Sequence, residues 1–264
     1  MTDQPVIYTV ADGVATITLN RPDAMNSLDS STKVALKEAV HQAAVDPAVR
    51  CVVLTGNGRA FCVGQDLKEH FEILRSSTSD ELFKTVPEYY NPIVTALATM
   101  TKPVIAAVNG VAAGAGASLA FACDFRILAD SAGFNLAFAG VALSCDTGSS
   151  WTLPRLVGRA KALDLLYFPR TIPAAESEQL GLATKVVPAA DLQAEVAQMA
   201  ERLATGPTIA FGAIRRAVEH SAGNDLESSL AFEADMMALT GATHDHQQAV
   251  ASFVAKAKPT FEGR

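Results

Sequence analysis

Residues Gly110 to Ala122 read GVAAGAGASLAFA and follow the apolar run KPVIAAVN. The stretch holds no acid, base or strong nucleophile, and Ser118 is its only polar side chain. Any chemistry here belongs to the backbone. A buried strand, a glycine-rich turn and a small-residue helix present N–H groups that lack an intrahelical partner, at the positive end of the helix dipole. Gly114, Ala115 and Gly116 let a ligand approach those amides closely. Such a corner suits a phosphate, a carboxylate, or a carbonyl oxygen that gains charge during reaction. Close helix–sheet packing is the plainer reading, since small residues are common at strand–helix turns. A dinucleotide loop, and with it an NAD(P)-dependent oxidoreductase, fits least. GAGASL puts Leu119 where G-x-G-x-x-G needs its last glycine, and no acid follows at a strand end about 20 residues on.

The elements around this corner can be read from pattern. VIYTVADGVATITL is two alternating strands about an Asp12-Gly13 turn. After the loop NRPDAMNSLD, Asp29 or Ser30 caps a helix with Leu36, Val40, Ala43 and Ala44 on its apolar side. VRCVVLTG, KPVIAAVNG and DFRILAD read as buried strands. GNGRAFCVGQD reads as a second glycine-bearing loop, and residues 67 to 100 as polar helix broken at Pro87 and Pro92. Short helices alternate with turns from Leu153 until the strand TKVV. Helix then dominates from Asp191, with breaks expected at Pro207, Gly223 and Gly241. Strands joined by helices imply an α/β core with parallel strands and a helical tail.

The chain has 264 residues, 49% of them apolar, and a formal charge of −7. That length allows one large domain, or a core with a small appendage. No Lys/Arg run is present, which argues against nucleic acid and anionic membranes as partners. The N-terminus does not read as a signal peptide, and no apolar run reaches the roughly 18 residues of a membrane span. Cys51, Cys62, Cys123 and Cys145 form no C-x-x-C pair and suit reduced thiols in a cytoplasmic protein. The five histidines do not group as a metal site, so no metal is expected.

GNGRAFCVGQDL together with KPVIAAVNGVAAGAGASLAFACDFRILAD resembles the enoyl-CoA hydratase/isomerase, or crotonase, superfamily. ITLNRPDAMNSLD and LPRLVGRAKALDLLYFPRTIPAAESEQLGLATKVVP extend the resemblance over nearly the whole chain. It implies an α/β spiral of β–β–α turns as an acyl-CoA-binding core over residues 1–200. A helical C-terminal region over 201–264 would build trimers or dimers of trimers. The resemblance also implies an oxyanion hole made of the Gln65 and Ala115 amides, polarising a thioester carbonyl. Coenzyme A would enter as part of the substrate, with no separate cofactor. It would run, mostly by main-chain contacts, along Ala24 to Asn26, Cys62 to Leu67 (Gly64 and Asp66 among them), and Val111 through Ala113 to Gly114. Arg21, Arg59, Lys256 and Lys258 are candidate phosphate cations, with solvated surface charge as the plainer reading of each.

Hydratases of this superfamily carry two glutamates where this chain has Ser118 and Phe138. Ser118 is a poor general base and reads as a small helix residue; Phe138 can shape or dry the pocket. Asp146, in SCDTGSSW, matches the catalytic aspartate of isomerases acting on ring-opened phenylacetyl-CoA and related enoyl-CoA esters. Its plainer role is a cap for a helix beginning near Thr147. Asp146 also matches the nucleophile of chlorobenzoyl-CoA dehalogenases. Those add a histidine before the KP strand and a tryptophan eight residues before the aspartate. This chain has no histidine between His70 and His220, and Phe138 occupies the tryptophan position. Glu88 is a second, more surface-like acid. The expected function is a double-bond shift in an enoyl-CoA, the alternatives being hydration by a non-standard acid/base and acyl-CoA binding without turnover.

Overall fold

The computed structural model describes residues 4–76, 78 and 82–264. It contains two sheets wound together by a spiral chain path. β1 (Val6–Ala11) and β2 (Val14–Leu19) form the expected antiparallel hairpin. Its turn has Asp12 at φ 49° and Gly13 at φ 77°, the left-handed pair that a tight hairpin requires.

β3 (Cys51–Gly56), β5 (Val104–Val108), β7 (Phe125–Ala129) and β10 (Lys185–Val187) extend this sheet in the order β1-β2-β3-β5-β7-β10. All pairings beyond the hairpin are parallel. Every residue of β3 and β5 is buried, as expected of parallel strands covered on both faces.

A second sheet contains β4 (Ala60–Cys62), β6 (Val111–Ala113), β8 (Gly133–Asn135) and β9 (Thr171–Pro173), in the order β4-β6-β8-β9. The chain leaves β3, β5 and β7 of the first sheet and enters β4, β6 and β8 of the second within a few residues. This repetition is the ββα spiral. The segment GNGRAFCVGQD, read as loop from sequence, thus contains β4. Three-residue strands carry too short an alternation to stand out from a turn.

Helix α1 (Ser30–Val45) is capped by Asp29, whose carboxylate accepts from the Thr32 amide at 2.8 Å. Leu36, Val40 and Ala43 are buried as read from the pattern. After α2 (Leu67–Ser76), a π-helical turn, Val86–Tyr90, runs directly into α3 (Asn91–Thr99). Pro87 and Pro92 therefore do not break this segment. The backbone stays helical past both, and Tyr90 and Asn91 keep right-handed helical angles where the helix changes type.

Further α-helices among the described residues are α4 (Ala115–Phe121), α5 (Ser149–Val157), α6 (Arg159–Tyr167), α7 (Ala174–Gln179), α8 (Leu192–Ala204), α9 (Thr208–Ser221), α10 (Leu226–Gly241) and α11 (His244–Val254). α8 packs on β3, β5 and β7 through Leu192, Val196, Ala200 and Ala204. The residue 200/201 boundary falls inside this helix. The surface changes character beyond it, where α9 to α11 expose Ile214, Val218, Leu226, Met237, Phe253 and Val254. Arg215 of α9 anchors the helical region to the core, bonding Asp124 at 2.7 Å and the carbonyls of Leu97, Met100 and Lys102. Among the described residues no helix is long and apolar enough to cross a membrane.

Candidate active site

The two glycine loops meet. Gly116, in the first turn of α4, lies against β4 so closely that any side chain would overlap the Cys62 carbonyl. Gly114 has φ 50° and ψ −124°, a conformation that L-residues rarely adopt. A methyl group placed on Gly64 would lie 3.2 Å from the Ala115 nitrogen, so that nitrogen sits beside the Gly64 backbone. Small residues here permit backbone-to-backbone approach.

The direction of the Gln65 amide follows from pairing. Leu28 forms a parallel bridge with Gln65, donating to the Gly64 carbonyl at 2.8 Å and accepting from the Asp66 amide at 3.2 Å. In a parallel pair, the residue between those two partners turns its own N–H away from the ladder. Ala115 begins α4, so its N–H has no intrahelical acceptor. Both amides belong to residues that border one cleft of about 110 Å³.

Asp146 borders the same cleft from the opposite loop. Its carboxylate accepts from the Thr147 hydroxyl at 2.8 Å. Burial pushes its pKa above the ordinary carboxylate value, and the Thr147 hydrogen bond opposes part of that rise. α5 begins at Ser149 with Gly148 as its N-cap and no side-chain cap bond. The Asp146 carboxylate is therefore not holding the helix. Thr147 itself has φ 51°, a strained conformation for a β-branched residue that typically costs about 1–3 kcal/mol.

Of the residues singled out from sequence, the cleft brings together Gly64, Gln65, Leu67, Gly114, Ala115, Phe138 and Asp146. It does not include Ala24, Asn26, Cys62, Asp66, Val111 or Ala113. Asn26 is wholly buried, donating to the carbonyls of Asn57 and Ala60 and accepting from the Arg21 amide. Cys62 is enclosed, and burial pushes its thiol up to about 12. Asp66 bonds the Ser27 hydroxyl, Arg21 and the amides of Lys68 and Glu69 at the start of α2. Those bonds outweigh burial and hold its carboxyl below the ordinary range. Arg21 is spent on Asp29 and Asp66, whereas Arg59, Lys256 and Lys258 are exposed.

Ser118 and Phe138, the residues that the resemblance sets at the hydratase glutamate positions, have different surroundings. Ser118 is fully buried; it donates to the Gly114 carbonyl at 3.0 Å and lies 2.5 Å from the Ser149 hydroxyl. It joins α4 to α5. Phe138 forms a cleft wall, and a larger hollow of about 530 Å³ opens beyond Phe138 and Leu143. Glu88 is exposed and lies outside the cleft lining.

Among the lining or supporting residues that escaped the sequence reading, three carry polar groups. Tyr90 and His70 border the cleft. Lys33 is buried behind it, with its amine 2.8 Å from Thr85 Oγ1 and 3.4 Å from Gln65 Oε1. Desolvation lowers its pKa, and the nearby Glu69, Asp29 and Asp66 oppose that fall. Lys33 had a visible signal: it precedes Leu36 and Val40 by three and seven residues, on the apolar side of α1.

Comparisons with known proteins agree with the fold. Residues 9–264 match the enoyl-CoA hydratase/isomerase family profile. The 1,2-epoxyphenylacetyl-CoA isomerase of Escherichia coli is 40% identical over 98% of both chains. The crotonyl-CoA hydratase of Syntrophomonas wolfei is 34% identical over 99% of both chains. An enoyl-CoA hydratase crystal structure from Bacillus anthracis superposes with a TM-score of 0.92 at 32% identity, over 99% of this chain and 100% of its own. With the ββα spiral, the paired glycine loops and these matches along the full chain, this protein belongs to the enoyl-CoA hydratase/isomerase (crotonase) family of acyl-CoA enzymes.

Proposed function

We propose that this enzyme shifts the double bond of an enoyl-CoA. The observation that carries the reading is a single desolvated carboxylate, Asp146, facing two acceptor-free amides across one cleft. Among the described residues, no other carboxylate borders that cleft. Ionised Asp146 removes a proton from the carbon next to the thioester carbonyl of a 3-enoyl substrate. The electron pair moves into the conjugated system, and the dienolate oxygen receives hydrogen bonds from the Gln65 and Ala115 amides. Protonated Asp146 returns the proton to the far carbon, giving the 2-enoyl thioester. A raised carboxyl pKa brings acid and base forms closer to neutral pH, which suits one group performing both transfers.

In this reading Phe138 and Leu143 keep water from the dienolate. Coenzyme A runs over the Ala24–Asn26, Cys62–Leu67 and Val111–Gly114 backbones. The apolar faces of α9 to α11 pack between subunits of a trimer or a dimer of trimers. Four unpaired cysteines suit a reducing, cytoplasmic setting.

A panel of 3-enoyl-CoA and 2-enoyl-CoA esters in heavy-oxygen water, followed by mass spectrometry, tests the reaction. Double-bond migration without oxygen incorporation is expected. Addition of labelled water would replace the isomerase reading with hydration through Asp146. Tight binding with no conversion across the panel would favour a binding protein.

A further inference from the structure

The groups behind Gln65 form a buried polar cluster that the proton-transfer reading leaves unused. Tyr90 is 1% exposed, yet its hydroxyl reaches the cleft side and donates to Gln65 Oε1 at 2.5 Å. Burial raises the Tyr90 pKa, and the neighbouring Asp146, Cys62 and Glu69 act in the same direction, so the phenol stays a proton donor. Lys33 donates toward the same oxygen from the other side at 3.4 Å. Its amine is itself held by Thr85 at 2.8 Å and by Glu69 at 3.8 Å. Tyr90 comes from the π-helical turn, Lys33 from α1, and Gln65 from the loop between β4 and α2. One side-chain oxygen thus ties three elements together.

The side-chain bonds add to a main-chain restraint on Gln65. Its main chain is held only through its neighbours, by the Leu28 bridge to Gly64 and Asp66. Gly64, with φ 85°, precedes it in a conformation that suits glycine. Rotation of the 64–65 peptide would break the Leu28–Gly64 hydrogen bond and swing the Gln65 N–H away from the cleft. Two donors on the side chain add to the resistance against that rotation, and the burial of Tyr90 and Lys33 strengthens both bonds.

We propose that Tyr90 and Lys33 are positioning residues that lock the Gln65 side chain and thereby aim its backbone amide at the thioester oxygen. This rests on the oxyanion reading given above. Tyr90 would touch the reaction only through Gln65, and the amide would keep its direction before substrate arrives. Preorganised donors act on the transition state more than on substrate binding. Loss of the lock should therefore lower kcat more than it raises KM.

The test compares wild type with Tyr90→Phe, Gln65→Ala and the double variant, using trans-3-hexenoyl-CoA for kinetics. The infrared carbonyl stretch of bound trans-2-hexenoyl-CoA, labelled with carbon-13 at the thioester, reports polarisation. Tyr90→Phe should lower kcat roughly 3- to 10-fold, the scale of one hydrogen bond, with KM nearly unchanged. Its bound carbonyl stretch should move back toward the value in water. In the Gln65→Ala background the same change should add almost nothing, because the partner is gone. Lys33→Met keeps length without charge and should give a smaller loss in the same direction; if it does not fold, the Tyr90 cycle still decides. An unchanged kcat and stretch in Tyr90→Phe would overturn the proposal while leaving a polarised wild-type carbonyl intact. Full additivity with Gln65→Ala would also overturn it, since Tyr90 would then act on substrate directly. A wild-type stretch equal to that in water would remove the oxyanion reading and this proposal together.

Discussion

The two walls of the cleft are built in opposite ways. On one wall, the Gln65 and Ala115 amides are backbone groups, set by strand pairing, by α4 and by glycines pressed against neighbouring main chain. On the other, Asp146, Phe138 and Leu143 are side chains on a connection between β8 and α5. That connection contains Ala142 and Thr147 at positive φ and exposed Val141 and Leu143. The first wall has almost no freedom to vary, because its chemistry is the peptide bond. The second is built of side chains, Phe138 among them, and its chemistry changes when they change.

Substitutions on each wall should separate these roles. Asp146→Asn is expected to have the largest effect, a roughly 10²- to 10⁴-fold loss of turnover with acyl-CoA binding retained. Stability should move the other way. The folded carboxyl has a raised pKa, so the folded state holds its proton at pH values where the unfolded chain has released it. Stability from this group is therefore lost as pH rises from the unfolded to the folded pKa. Asparagine removes that cost, and thermal melting at neutral pH should show Asp146→Asn at least as stable as wild type. A variant that is both active and unchanged in stability would break the comparison on the side-chain wall.

On the backbone wall, Ala115→Pro deletes one donor and should cost about 10²- to 10³-fold in kcat. Circular dichroism must accompany it, because proline also restricts the backbone. Gly116→Ala should be felt mainly in stability, at about 1–3 kcal/mol by urea unfolding, since β4 or α4 must move. Gly223→Ala is its control: nothing lies within 4 Å of the added methyl, and the change should stay within about 0.5 kcal/mol.

Much of the backbone wall was legible in the sequence, and much of its support was not. The hairpin turn, the Asp29 cap and the long apolar strands declare themselves through local pattern. GAGASL announces its glycines, but not that Gly116 meets Cys62, because that contact joins two loops distant in sequence. β4, β6, β8 and β9 are each three residues long and exist through pairing with one another. Lys33 and Tyr90 converge on Gln65 from separate elements, which no periodicity encodes. Asp146 stood out through the family resemblance, with a helix cap as its plainer role. That it does not cap α5 depends on where the helix starts, the kind of boundary local sequence specifies poorly.

The smallest expected effect sharpens the electrostatics of the side-chain wall. Thr147→Val removes the hydroxyl that stabilises the Asp146 carboxylate, so the acid's pKa should rise further. Because the ionised form starts the reaction, the acid limb of the kcat/KM profile should lie above the ordinary aspartate value of about 3.9 in wild type. It should move to still higher pH in Thr147→Val. A limb that stays in place would detach Asp146 from the rate.

The central claim is that one carboxylate and two backbone amides address a single bound thioester. A crystal structure of Asp146→Asn with trans-3-hexenoyl-CoA tests it most directly. The account predicts the thioester oxygen about 2.7–3.1 Å from both the Gln65 and Ala115 nitrogens. The substituted amide side chain at position 146 would lie alongside the carbons that lose and regain the proton. A thioester oxygen remote from both amides, or an acyl chain directed away from position 146, would contradict it.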